Sequence, residues 1–278
     1  MSLDRIGRSG ELRLTFAQRS THTALVESFY RSPLQVMAPI VDSAGCVCVY
    51  VVSPSAGIVQ NDQYLVEICL TPGTHALLTT PAANRVYRMP SGHASQHVQV
   101  TVGENSLFEY VPDATILFAD SDFRQTMEVI LETGSLLVLH DIIMPGRLAR
   151  QEHLRFRHYA SRLVVRDEQG LILYDNTRLK PADQDLNQLG FLDGFACWGS
   201  FYILGDLQHW GFDADHFAET HRASLTSEES IGAMTTLHRN GVCVRLLSHR
   251  LETITHTFEI LRQGVRRNLG LPFETLRK

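Results

Sequence analysis

Apolar and polar residues alternate with a period of two through much of the first two-thirds of the chain. Leu12-Arg13-Leu14-Thr15-Phe16 alternates strictly, as expected of a strand with one buried face. Cys46 to Val52 (CVCVYVV) is almost continuously apolar and β-branched, the pattern of a strand buried on both faces. Residues 65–70, 98–102 and 127–131 read as further strands. Leu163-Val164-Val165 and Leu171-Ile172-Leu173 flank Asp167-Glu168-Gln169-Gly170, a turn composition that predicts a hairpin. Cys46-Val47-Cys48 is read as turning its two thiols to opposite faces.

A weak repeat runs through these strands. Gly73, Gly103 and Gly134 lie 30 and 31 residues apart, and HALLTT, SLFEYV and SLLVLH follow them. Pro81, Pro112 and Pro145 come some eight to eleven residues after each glycine. A strand–turn–strand unit repeated in this way buries its faces by stacking on its neighbours.

The last third differs. Residues 215–224 (DHFAETHRAS) read as a short helix. Residues 231–237 and 242–247 bracket Arg239-Asn240-Gly241, and Asn-Gly is a strong hairpin signal. Ser248 is the expected N-cap of a final helix. Its apolar stripe is Leu251, Ile254, Phe258, Leu261, Val265 and Leu269, with Gly270 and Pro272 as the stop. That stripe faces either the β core or a partner helix. No linker-like segment divides residues 1–278, which are expected to form one domain.

Charge adds local detail. The 278 residues carry a net charge of −5 and include two lysines against 23 arginines. Residues 104–141 hold eight acidic residues and one arginine; residues 145–166 hold six arginines and one glutamate. Such blocks are solvated faces or complementary patches for protein partners. The acidic balance offers nucleic acid no general basic surface. No apolar run approaches the roughly 18–20 residues of a membrane span, and no apolar segment follows the charged start as a secretory signal requires. Five cysteines in a chain of this length point to a reduced compartment, and the cytoplasm is expected.

Motifs for catalysis are missing. Neither phosphate loop, GxSxG elbow, HExxH nor paired CxxC occurs. Thirteen histidines invite a metal reading, but His93 and His97, four apart, lie where a loop enters a strand rather than on a helix, and His216 and His221 are five apart on the short helix. Asp120 with Asp122, and His140 with Asp141, are the nearest acid–base pairs. A transiently held Ni²⁺ suits such histidines and carboxylates; the site of any metal is unassigned.

Long stretches of the sequence resemble the UreD family of urease accessory proteins, called UreH in some bacteria. They are Ser32-Pro33-Leu34, SPSAGIVQND (53–62), ALLTTPAANRVYR (76–88), LFEYVPDATILFADSDFRQ (107–125) and LHDIIMPGRLARQE (139–152). The resemblance extends to both ends of the chain. It implies a mainly β fold of stacked, β-helix-like sheets with a few helices. It also implies a non-enzymatic chaperone with no tightly bound cofactor. Such a protein binds a UreF-like partner and, through it, a UreG-like GTPase, and acts on apo-urease so that nickel is inserted.

The family's glycine-rich turn is altered: Ala56, Gln60 and Asn61 replace glycines, while Gly57 and Asp62 remain. Candidate functional carboxylates are Asp62, Glu109 and Asp141, lining a polar passage or capping backbone amides. Candidate partner-binding residues are Tyr87, Arg88, Arg147 and Arg150, with the final helix and the arginine-rich 147–166 segment as surfaces. The alternatives are a metal-dependent hydrolase on a β scaffold and a UreD paralogue without a urease role.

Overall fold

A strand that buries one face needs a second layer, and this chain supplies it by crossing between two sheets as it winds. The computed structural model describes residues 9–55, 57–239, 241–272 and 276. The strands begin with β1 (Ser9–Arg19), β2 (His22–Arg31), β3 (Gln35–Val36), β4 (Ile40–Val41), β5 (Val47–Val52) and β6 (Gln63–Leu70). They continue with β7 (His75–Thr79), β8 (Asn84–Val86), β9 (Ala94–Val102), β10 (Leu107–Tyr110), β11 (Thr115–Leu117) and β12 (Asp122–Leu131). Then come β13 (Leu136–Met144), β14 (His158–Asp167), β15 (Gly170–Leu179), β16 (Cys197–Gly205), α1 (Ala214–His221), β17 (Ser230–Thr236), β18 (Gly241–Ser248) and α2 (Leu251–Asn268).

One sheet has the order β15-β14-β12-β9-β6-β1-β2. The other follows the path β17-β18-β16-β13-β10-β7-β5-β3, with β4, β8 and β11 attached beside it. From β5 to β14 the chain alternates between the sheets, apart from the short β8 and β11, and neighbours in each sheet run parallel. The result is the stacked, solenoid-like β architecture that the resemblance implied.

The sequence pattern follows from what covers each sheet. Inward residues such as Leu14, Phe16, Val100, Phe108 and Leu137 form one core between the sheets. The outer face of the second sheet forms another, where Val138, Phe201 and Val244 meet Ile254, Phe258, Leu261 and Val265 of α2. A sheet covered on both faces produces continuous apolar runs such as VCVYVV and LLVLHDIIM. The first sheet is uncovered outside, so β6 keeps its alternation of exposed or half-buried and buried residues.

The repeat is present, but its register differs from the glycine spacing. Leu70 pairs with Val102 and Val102 with Leu131. Three residues further on, the matching turn positions are therefore Gly73, Asn105 and Gly134, at φ 73°, 54° and 69°. Gly73 N donates to Glu104 O and Asn105 N to Thr133 O, the same bond one coil apart. Gly103 is required for a different reason, because a Cβ there would lie 2.5 Å from Leu70 O. The prolines share no position in the repeat, since the ladder places Thr80 and Asp141 level with Pro112.

Both predicted hairpins form. Asp167 pairs with Gly170 across a bulge at Val165/Arg166. Thr236 pairs with Val242, with Asn240 outside the described residues. The final helix buries its stripe on its own sheet rather than offering it to a partner. Ser248 does not cap it: α2 starts at Leu251 with Arg250 in the cap position. Ser248 ends β18, and its Oγ accepts from Arg250 N and donates to Glu229 O. Among the described residues no helix is long and apolar enough to cross a membrane.

Candidate functional site

Stacked crossovers build one face of the molecule. Ile58 N donates to Arg85 O and Tyr87 N to Ile58 O; Phe118 N donates to Val86 O, Met89 N to Asp120 O and Asp120 N to Arg155 O. This ladder brings together segments far apart in sequence. The Tyr87 ring packs edge-on against Phe118 at 5.0 Å. Arg147 lies over the other partner of that contact, its Cζ 4.0 Å from the Phe118 centroid, a cation–π geometry. Glu152 fixes the same guanidinium through bonds of 2.7 and 2.5 Å, and Arg88 pairs with Asp120 at 3.3 Å. Tyr87, Arg88 and Arg147 therefore share a neighbourhood. Arg150 sits beside them in a 3-10 turn next to the exposed Leu148. Arg157 ties the segment down by donating to Met89 O, Gly92 O and Asp122. The arginine-rich block thus pairs in part with the acidic block before it.

The altered turn at 56–62 is accommodated. Asn61 holds φ 64°, a conformation asparagine tolerates. Gln60 is not among the positive-φ residues; it is buried, and its Oε1 accepts from Ser91 N at 2.8 Å. Gly57 is required: a Cβ there would lie 2.4 Å from Arg85 O and 2.7 Å from the Tyr87 ring. Ala56 lies outside the described residues. Asp62 closes the turn, accepting from Val59 N at 2.9 Å and Tyr64 Oη at 2.6 Å.

Asp141 has a different setting. It lines a cavity of about 70 Å³ between the sheets with Tyr110, Gln125 and Ser161, large enough for more than one water. Gln125 Nε2 lies 3.1 Å from Asp141 Oδ2, and Tyr159 Oη donates to the same oxygen at 3.4 Å. Burial pushes the Asp141 carboxyl up to about 6, aided by the charge of Asp175 and opposed by bonds from Tyr159 and Gln125 and the charge of Arg245. Asp175 in turn accepts from Tyr202 Oη and Arg245.

Glu109 points to the outer face of the second sheet, under α2. The carboxylate is 1% exposed, as is Arg262, and Arg266 is 3% exposed. Arg262 Nη1 bonds Oε2 at 3.0 Å and Arg266 Nη1 bonds Oε1 at 2.8 Å. His75 Nε2 reaches the same Oε1 at 2.9 Å. Burial favours the neutral acid here, but His75, Arg262 and Arg266 outweigh it and hold the carboxyl at about 2.

The three carboxylates therefore do not line one passage. Asp62 closes a turn, Glu109 anchors a helix, and Asp141 alone faces the internal cavity. Of the other candidates, His97 Nδ1 bonds Thr126 Oγ1 at 2.5 Å and the buried His221 ring stacks on Phe217. Asp120 is largely exposed in a turn, while Asp122 is buried against Arg157 and Arg124. Among the described residues, one group of potential metal donors is compact: Cys46, His75 and Glu109. The expectation of opposed thiols at Cys46 and Cys48 is also corrected, because alternate residues of a strand share a face, and both thiols pack in one small cluster.

Comparison with known proteins shows the family. The family model described as UreD urease accessory protein matches residues 8–277. The chain is 34% identical to Urease accessory protein UreD 2 of Streptomyces griseus, covering 97% of this chain and 93% of that protein. It is 30% identical to Urease accessory protein UreD of Haloarcula marismortui, covering 90% and 84%. A match to the Cenarchaeum symbiosum protein of the same name, at 26% identity, spans 100% of this chain and 99% of that one. With a match from one end to the other and the stacked-sheet fold in place, this chain belongs to the UreD family of urease accessory proteins.

Proposed function

We propose that this chain is a urease maturation chaperone that works by protein–protein binding rather than by catalysis. In this account it associates with a UreF-like accessory protein and, through it, with a UreG-like GTPase. The assembly acts on apo-urease in the cytoplasm, and GTP hydrolysis drives nickel insertion. The observation that carries this reading is the crossover face, where Tyr87, Arg88, Arg147, Arg150 and Leu148 are gathered beside a ladder of backbone hydrogen bonds. Arginine and tyrosine beside an exposed apolar residue suit a docking surface for an acidic partner. The Asp141 cavity supports a second element, transient passage of a divalent cation, since it holds a carboxylate among hydroxyl and amide groups.

The test is urease activation in a host supplied with the urease structural and other accessory genes of the same organism. Nickel-dependent activity is expected only when this chain is present. Equal activity in its absence would overturn the proposal.

A further inference from the structure

We infer that Cys46, His75 and Glu109 form a binding site for one borderline divalent cation of the nickel, cobalt and zinc class. The three donor atoms come from one thiol, one imidazole and one carboxylate, and all lie within 4.8 Å of one another. That mixture of sulfur, nitrogen and oxygen selects such cations over magnesium or calcium.

Two of the donors already stand at a bridging separation, with the Cys46 thiol near both. His75 Nε2 and Glu109 Oε1 are 2.9 Å apart, about the separation subtended at a right angle by two metal bonds of roughly 2.1 Å. A cation there takes the place of the proton the two atoms now share. On binding, Nε2 offers its lone pair to the cation and the Cys46 thiol releases its proton to solvent, a release that burial and the neighbouring carboxylates of Glu109 and Asp42 oppose in the metal-free chain and that the cation's charge drives.

The surroundings are built rather than incidental. Asp42 Oδ1 accepts from Cys46 N at 2.9 Å and from Ala44 N at 2.9 Å, fixing the turn that carries the thiol. The other oxygen of Asp42 bonds Arg266 Nη2 at 2.5 Å. Such outer contacts are what orient metal ligands.

Two arginines beside a cation site look prohibitive, but the charges balance. Asp42, Glu109 and Glu259 face Arg262 and Arg266, leaving one net negative charge. Ionisation of Cys46 makes it two, and a divalent cation neutralises the group, as burial demands. Cys46 and Glu109 are buried, and the His75 side chain at 14% exposure supplies the way in.

This inference is independent of the maturation reading, because it concerns the isolated chain. The experiment is an anaerobic titration of the purified full-length protein with Co²⁺, followed by optical absorption. The expected result is one equivalent bound with a sulfur-to-cobalt charge-transfer band. That band is lost in Cys46→Ser and His75→Ala, retained in Cys69→Ser, and displaced by Ni²⁺ or Zn²⁺. Absence of the band from the unmutated protein would overturn the site, whether or not Cys46→Ser folds. So would a band that persists in folded Cys46→Ser.

Discussion

Arg266 Nη1 lies 2.8 Å from Glu109 Oε1, a buried ion pair that joins residues 157 positions apart in the chain. Arg262 completes the arrangement one helical turn earlier, on the other carboxylate oxygen. The final helix is therefore held to its sheet by two charges as well as by its apolar stripe. Removing one side of such a pair strands the other in a dry environment. Glu109→Ala is expected to lower stability by about 3–5 kcal/mol in denaturant unfolding. Because Arg266 also pairs with Asp42 and Arg262 with Glu259, replacing Glu109, Arg262 and Arg266 together with leucine or methionine is expected to recover only part of that loss. A loss of under about 1 kcal/mol for Glu109→Ala would show that water reaches the pair.

Asp141 gives a pH dependence of determined sign. Its carboxyl sits at about 6 in the folded chain against 3.8 as the ordinary value. Below pH 3.8 both states hold the proton and the group contributes nothing. Between 3.8 and 6 the unfolded chain ionises first, and stability is lost as pH rises; above 6 the loss is constant. Asp141→Asn is thus expected to stabilise the protein above pH 6 by up to about 3 kcal/mol, with the gain vanishing near pH 4. Thermal unfolding at pH 4 and pH 8 measures the difference.

The altered turn supplies a third prediction. Gly57→Ala forces a methyl group against Arg85 O and the Tyr87 ring, so a loss of about 2–4 kcal/mol is expected. Gln60→Gly removes the bond to Ser91 N and is expected to cost about 1–2 kcal/mol. Denaturant unfolding of the two variants beside the unmutated chain measures both.

Charge reversal separates binding from folding. Arg88 and Arg150 are exposed on the crossover face, Arg88 with only the exposed Asp120 as its ion-pair partner among the described residues. The double variant Arg88→Glu/Arg150→Glu is expected to shift stability by under about 1 kcal/mol. It is also expected to weaken association with a UreF-like partner at least tenfold, read by titration calorimetry at fixed salt.

Much of this was legible in the sequence, for physical reasons that differ by element. The alternation of Leu12 to Phe16 and the Asp167–Gly170 turn report one-sided burial and local backbone demands, so both were readable. Strand β16 was not, because it is buried almost throughout and shows no alternation. The true repeat of Gly73, Asn105 and Gly134 was obscured because asparagine also adopts the left-handed turn. Arg262 and Arg266, four apart on a helix, look like a solvated stripe. Only the fold reveals that Glu109 lies beneath them. Tyr87, Arg88 and Arg147 stand out in the sequence by residue type within the motifs that carry the resemblance, but their proximity to one another depends on crossovers that no local pattern encodes.

The most direct test of the central claim is size-exclusion chromatography with light scattering on this chain co-expressed with the UreF-like protein of the same organism. A soluble complex of fixed stoichiometry is predicted, lost in the Arg88→Glu/Arg150→Glu variant. Elution of the two proteins as separate, monodisperse species would contradict the account.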